Sequence, residues 1–387
     1  MRQIIQRMFL ISGVCLVGVW WVPTHAQTPP ACACAFVKNQ PPQNVRVEFR
    51  GDSLVVNAKA DMVVHLGDLL KVRFPVSGKL VCDNVQGIIE LADTPRQQDV
   101  PCKNDPKEGI LIGRNGRLID STTMSDASDT GFPVAISPRS TKLLDEHPLL
   151  RWTTIDNATS YKVTVRESQG SKKSWSVIVP AKPGTQIQEM VYPKECDSDQ
   201  TSDCAPALMA GESYKLIIEA NGRNSEEEDR ANLGFTLLTE KEAEEVKRRA
   251  EEIKRVDLAD SLKTQMLASF YANNGLDADA IATLERIQSA QQTPATISLL
   301  GNLYLRSGLT RRAESLYLEL LKTKFMVQST PAGKAITYQT LGEIYEALGN
   351  PSEAIKYYVT AAQLYRALKD GQSTDKIRSR LSDLRRD

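Results

Sequence analysis

Three stretches of the chain share one frame: LASFYANNGLDADAIATL at 267–284, LGNLYLRSGLTRRAESLY at 300–317 and LGEIYEALGNPSEAIKYY at 341–358. Tyr271, Gly275 and Ala280 recur as Tyr304, Gly308 and Ala313, and again as Tyr345, Gly349 and Ala354, at identical spacing. Each stretch reads as a helix, a tight turn and a second helix. Gly275, Gly308 and Gly349 end the first helix, where a left-handed residue is needed and only Gly adopts it cheaply. Small Ala268, Gly301 and Gly342 let the first helix approach the second, and Ala280, Ala313 and Ala354 serve the same contact from the other side. In the third stretch Asn350, Pro351 and Glu353 restart a helix as N-cap, first-turn proline and capping partner. The third copy follows the second at a longer pitch than the second follows the first, and the surplus falls in Lys324–Lys334.

This frame resembles the tetratricopeptide repeat (TPR) family, whose motif orders Leu-Gly/Ala, Tyr, Ala, an aromatic and Ala in the same way. The second and third copies carry the whole motif; the first has Leu284 in place of the second aromatic. The resemblance implies a C-terminal α-helical solenoid over 261–372, with repeats at 261–293, 294–334 and 335–368. Residues 373–387, with Ile377, Leu381 and Leu384 apolar, then form a helix that caps its open end. It also implies a concave groove lined by the first helices. Carried onto this chain, the groove positions are Gln265, Ser269 and Asn273 with Ala272; Ser298, Asn302 and Arg306 with Leu305; and Gln339, Glu343 and Glu346 with Ala347. Such a surface is rich in amides and hydroxyls, with Arg306 and the two glutamates as its only charges, and with Asn302 and Arg306 facing away from the stacking core. The basic residues that clamp a terminal carboxylate in chaperone-binding members are missing from the matching positions. The expected ligand is therefore a peptide or protein segment held by amide hydrogen bonds. The chain's own N-terminal segment, or a second copy in a homo-oligomer, is the alternative occupant.

Upstream of Thr239 the apolar period is two rather than 3.6. Thr239 and Glu242 have capping-box spacing, and 239–260 reads as a connecting helix with Val246, Ala250 and Ile253 as its buried stripe. Residues 45–120 read as a small β domain, 121–132 as a linker, and 133–238 as a second β domain. In the latter, HPLLRW (147–152), NATSYKVTV (157–165) and AGESYKLIIEA (210–220) resemble fibronectin type III or related immunoglobulin-like sandwiches. That resemblance implies a buried Trp152 facing tyrosines of later strands. The expected fold class is thus multidomain β + α. The order of domains is similar to that of secreted or periplasmic cyanobacterial TPR proteins.

Residues 1–26 read as a signal peptide: Arg2 and Arg7 precede an apolar run from Phe9 to Val22, and Thr24-His25-Ala26 supplies small residues for cleavage. The run is too short to cross a hydrocarbon core of about 30 Å, so no membrane span is expected in the mature chain. Export to the periplasm or medium is the expectation. Residues 27–44, rich in Pro, Gln and Ala, read as a flexible lead-in. Six cysteines remain after such cleavage, an even number that favours disulfides in an exported chain. Cys82 with Cys102 and Cys196 with Cys204 are the expected pairs, with Cys32 and Cys34 unassigned.

Basic and acidic residues balance at 48 each, which argues against nucleic acid as a partner. His65 and His147 lie beside no nucleophile, and no catalytic or phosphate-binding motif is present. Asp197, Asp199 and Asp203 cluster but lack the Gly and distal Glu of a calcium loop. No metal, no cofactor and no catalytic residue are expected. The leading expectation is an exported, non-enzymatic protein–protein adaptor. The second is a cell-wall or glycan-binding protein acting through its β domains, which exposed aromatic platforms would mark. The third is an unrecognised enzyme, which requires a deep polar pocket with coupled titratable groups.

Overall fold

The computed structural model describes residues 34–38, 43–48, 55–57, 63–64, 69–77, 79–82, 88–90, 132–168, 174–193, 205–227, 234–287, 292–322 and 331–385. The expected signal peptide and nearly all of the expected linker lie outside them. At the N-terminal end are β1 (Cys34–Phe36), β2 (Gln43–Glu48), β3 (Val55–Asn57), β4 (Val63–Val64), β5 (Leu69–Ser77), β6 (Lys79–Cys82) and β7 (Ile88–Glu90). They form two sheets, β4-β1-β6-β7 and β3-β2-β5. The register sets Cys34 opposite Cys82; Cys102, Cys196 and Cys204 lie outside the described residues.

The expected flexible lead-in thus contains β1. Val37, just after it, is buried among the helices, and the Lys38 amide donates to the Asp257 carbonyl at 2.9 Å. Between its Pro-rich flanks, Ala35-Phe36-Val37 is an apolar island, and burying such a run against a partner outweighs the tendency of the flanks to stay loose.

The second β region holds β8 (Ala135–Ser137), β9 (Thr141–Leu143), β10 (Leu149–Thr153), β11 (Ser160–Glu167), β12 (Ser174–Pro180), β13 (Ile187–Val191), β14 (Ser213–Ala220), β15 (Arg223–Asn224) and β16 (Phe235–Leu237). One sheet runs β13-β10-β8 and the other β12-β11-β14-β16-β9, with β15 added to β14. Alternation along β11 explains why they share a core. Tyr161, Val163 and Val165 point inward, while Lys162 on the other face pairs with Glu219 at 3.2 Å. From the opposing sheet come Leu150 and Trp152, the Trp152 ring meeting the Tyr161 ring edge-on at 5.7 Å. The Tyr161 hydroxyl, buried with its ring, accepts the Ile155 amide at 3.0 Å. β9 joins β16 in parallel, so the chain that enters the region at β9 lies beside the strand that leaves it.

The helices are α1 (Glu240–Arg255), α2 (Asp260–Asn273), α3 (Asp277–Glu285), α4 (Pro294–Arg306), α5 (Thr310–Lys322), α6 (Pro331–Ala347), α7 (Pro351–Ala367) and α8 (Gly371–Asp383). α1 opens on the reciprocal capping box of Thr239 and Glu242 and buries Val246, Ala250 and Ile253. Hydrogen bonds from the Thr239 hydroxyl and amide, and then Lys142, pull the Glu242 carboxyl down to about 2. Among the described residues no helix is long and apolar enough to cross a membrane.

α2–α3, α4–α5 and α6–α7 are pairs closed by the same turn. Gly275, Gly308 and Gly349 have φ of 76, 74 and 68. After each, the next amide reaches back to the repeat tyrosine: Leu276 to Tyr271 at 2.9 Å, Leu309 to Tyr304 at 2.7 Å and Asn350 to Tyr345 at 2.9 Å. These bonds satisfy carbonyls that a helix end otherwise leaves open. Within the pairs the approach is closest at two glycines. A Cβ built on Gly301 would stand 2.6 Å from the Tyr317 ring, and one on Gly342 2.6 Å from the Tyr358 ring.

The β region is joined to the edge of the helical array where the first two pairs turn. The Lys142 amide donates to the Gly275 carbonyl at 2.8 Å, and the Ala278 amide to the Thr141 hydroxyl at 3.2 Å. Arg139, 2% exposed, donates through Nε to the Ser307 carbonyl at 2.6 Å and through Nη1 to the Ala135 carbonyl at 3.1 Å. Arg151 of β10 pairs with Glu285 of α3 at 2.6 Å. Ile136, Leu144, Ile187 and Leu238 complete the contact by packing into the helical core. At the third turn, nothing lies within 4 Å of the position a Gly349 Cβ would take.

Gly342→Ala is expected to destabilise the chain by about 1–3 kcal/mol, because the ring above it must move in a packed core. Gly349→Ala, where only backbone strain acts, is expected to cost about 1 kcal/mol. Urea unfolding of both variants checks the order.

Candidate partner groove

Motif spacing directs nine side chains of α2, α4 and α6 to one face, and the structure treats them differently. Ser269 is fully buried and Gln265 nearly so, at 0% and 6% exposure, so neither presents surface to a ligand. Asn273, Ser298, Asn302, Arg306, Gln339, Glu343 and Glu346 are half-buried.

Most of those seven are already held from beneath. The Tyr317 hydroxyl of α5 donates to Asn302 Oδ1 at 2.8 Å and approaches the Ser298 carbonyl at 3.3 Å. The Tyr358 hydroxyl of α7 donates to Glu346 Oε2 at 2.8 Å, and the Tyr365 hydroxyl to Gln339 Oε1 at 2.9 Å. Gln339 Nε2 then donates to Glu343 Oε1 at 2.9 Å. Burial, with a further contribution from Glu343, pushes these three hydroxyls far above the usual phenol range, so each stays a donor. The rings that fill the core of each pair therefore fix the amides and carboxylates on the groove face. The expectation that Asn302 faces away from the stacking core is corrected by its bond to Tyr317.

Arg306 is corrected in the same sense. Its Nη2 stands 2.8 Å from Asp277 Oδ1 and donates to the Ala272 carbonyl at 3.2 Å, with side-chain exposures of 15% for Arg306 and 5% for Asp277. Burial pushes the Asp277 carboxyl up, and Arg306 opposes that shift. The pair ties the second helix of the first repeat to the first helix of the second. Arg306 is thus committed to this tie rather than offered to a ligand.

The cations on this face come instead from the capping helix. Arg380 of α8 pairs with Glu346 at 2.9 Å. Lys376, one turn earlier, is half-buried and has no hydrogen-bond or ion-pair partner among the described residues. Burial lowers its ammonium, Glu343 acts against that and Arg380 with it. Sequence reasoning placed α8 only as a cap; the i,i+4 spacing of Lys376 and Arg380 on its polar side was the available signal. Groove residues of the third pair and α8 thus bring two carboxylates, an amide and two cations together.

Residues 296–325 and residues 335–368 each match the tetratricopeptide repeat family. The C-terminal helices carry TPR repeats. The two matches fall on α4–α5 and α6–α7, and α2–α3 shares their turn geometry. No curated protein matches the chain as a relative. TPR repeats point to a role in protein–protein interaction, and protein partners are the class they suggest.

Arg306→Ala leaves Asp277 buried and unpaired, and is expected to cost about 3 kcal/mol of stability. Adding Asp277→Asn should recover a good part of it. Denaturant unfolding of the single and double variants measures both steps.

Proposed function

We propose that this chain is an exported, non-enzymatic adaptor that holds a peptide or protein segment on the groove face of its TPR repeats. The observation that carries the reading is the polar surface of α6 and α8. Gln339, Glu343 and Glu346 lie half-buried in fixed positions, beside Lys376 and Arg380. Fixed donors and acceptors of both charges suit a partner strand or helix with backbone amides and mixed charge, since little side-chain freedom is lost on binding. Asn302 and Ser298 extend the same face toward the second repeat. The β regions, one of them a fibronectin-like sandwich in this reading, set the position of the array. The signal-like segment at 1–26 supports export, and the even number of cysteines in the remaining chain is consistent with it.

The glycan-binding reading gains nothing from the second β region. Trp152, Tyr161, Trp175, Tyr192, Tyr214 and Phe235 are all buried there, so among the described residues they offer no aromatic platform.

Glu343→Lys reverses the charge at the centre of the face while leaving the tyrosine rings in place. Crosslinked capture from envelope extract with the full chain should lose its specific partner in this variant, with helical circular dichroism unchanged. Undiminished capture would show that the partner binds elsewhere.

A further inference from the structure

The joint between the β region and the first TPR pair contains a carboxylate that the groove does not use. Asp279, in the first turn of α3, lies against the segment that follows β9. It is half-buried, and its Oδ2 atom is closed off from solvent with no hydrogen-bond partner. Asp145, two residues beyond β9, opposes it across the joint, and the Leu144 amide donates to it. Tyr271 of α2 faces it from below, and Arg286, just past α3, is the cation on its own side. Around this point the joint is otherwise well satisfied, through Lys142 on Gly275, Thr141 on Ala278, and Lys142 with Glu242 at 3.2 Å. One carboxylate oxygen without a partner, facing a second carboxylate, stands out against that background.

We propose that the joint between the β region and the first TPR pair is operated by protonation of Asp279: it closes tightly when that carboxyl is neutral and loosens when it is ionised against Asp145. The physical basis is that closing the joint removes water from Asp279 and brings a like charge toward it. Both effects disfavour the ionised form in the closed state alone. Closure therefore takes up a proton, and the equilibrium favours the closed joint at low pH.

The sign and size follow from linkage. Burial, then Asp145, raises the Asp279 carboxyl from its ordinary 3.8 to about 6 in the closed joint. A raised acid stabilises closure below that value and loses the contribution as pH rises through it. Between pH 5 and pH 8 the closing equilibrium should fall by about tenfold. Above pH 6 the β region then swings more freely relative to the groove, with Arg139 and Arg151 as its remaining tethers.

Hydrogen exchange of the Lys142 and Ala278 amides in the full chain tests this, because both bonds cross the joint. After correction for intrinsic exchange rates, protection should be about tenfold lower at pH 8 than at pH 5. Asp279→Asn, which is neutral throughout, should hold the pH 5 level of protection at both pH values. Asp145→Asn should shrink the swing without abolishing it, and serves if the first variant does not fold. Equal protection at the two pH values in the unaltered chain would overturn the proposal, as would a full swing in Asp279→Asn.

Discussion

The closest approach in the helical array is that of a tyrosine ring to a glycine. Tyr317 lies over Gly301 and Tyr358 over Gly342 at separations that leave no room for a single added carbon. Much else in the array depends on this contact. With the ring lying against the first helix, its hydroxyl reaches that helix's other face, where it holds Asn302 or Glu346. Tyr365 reaches Gln339 in the same way from the end of α7. A packing constraint inside each pair thereby becomes a positional constraint on the surface that a partner would meet. Side chains held in this way lose little freedom on binding, so a partner's hydrogen bonds are not offset by ordering them.

The β region and the array are connected through the turns that the repeat glycines create. Those turns leave carbonyls at the edge of the array, and Lys142 takes that of Gly275 while Arg139 takes that of Ser307. Glu285 links the two bodies further, accepting Arg151 from β10 and the Tyr304 hydroxyl from α4. Attachment at the edge of the first two pairs leaves the half-buried side chains of α6 and α8 on a different part of the molecule. The third turn, at Gly349, has no counterpart to these contacts at its Cβ position.

The helical part was largely legible in the sequence because its determinants are local. Tyr-to-Gly-to-Ala spacing places three turns, and Thr239 with Glu242, and Asn350 with Pro351, mark helix starts that depend on neighbours three or four residues away. What escaped depends on long-range pairing. Nothing near Arg306 in sequence says that Asp277 will lie beside it, and a hydroxyl on a core tyrosine does not announce which groove residue it will hold. Ser269 and Gln265 match groove positions by spacing, but their burial is set by what packs around the first repeat. β1 within the Pro-rich lead-in was hidden for a related reason: a short apolar island is ordered by strands far along the chain.

The central claim is that core tyrosines fix the groove side chains, and a double-mutant cycle between Tyr365→Phe and Gln339→Ala tests it most directly. Removing one hydroxyl and one amide leaves the ring and the helix intact, so urea unfolding of the four chains isolates their mutual energy. The account predicts a coupling of about 1 kcal/mol, the net worth of a partly buried hydrogen bond. Additivity within a few tenths of a kcal/mol would contradict it, by showing that Gln339 holds its place without Tyr365.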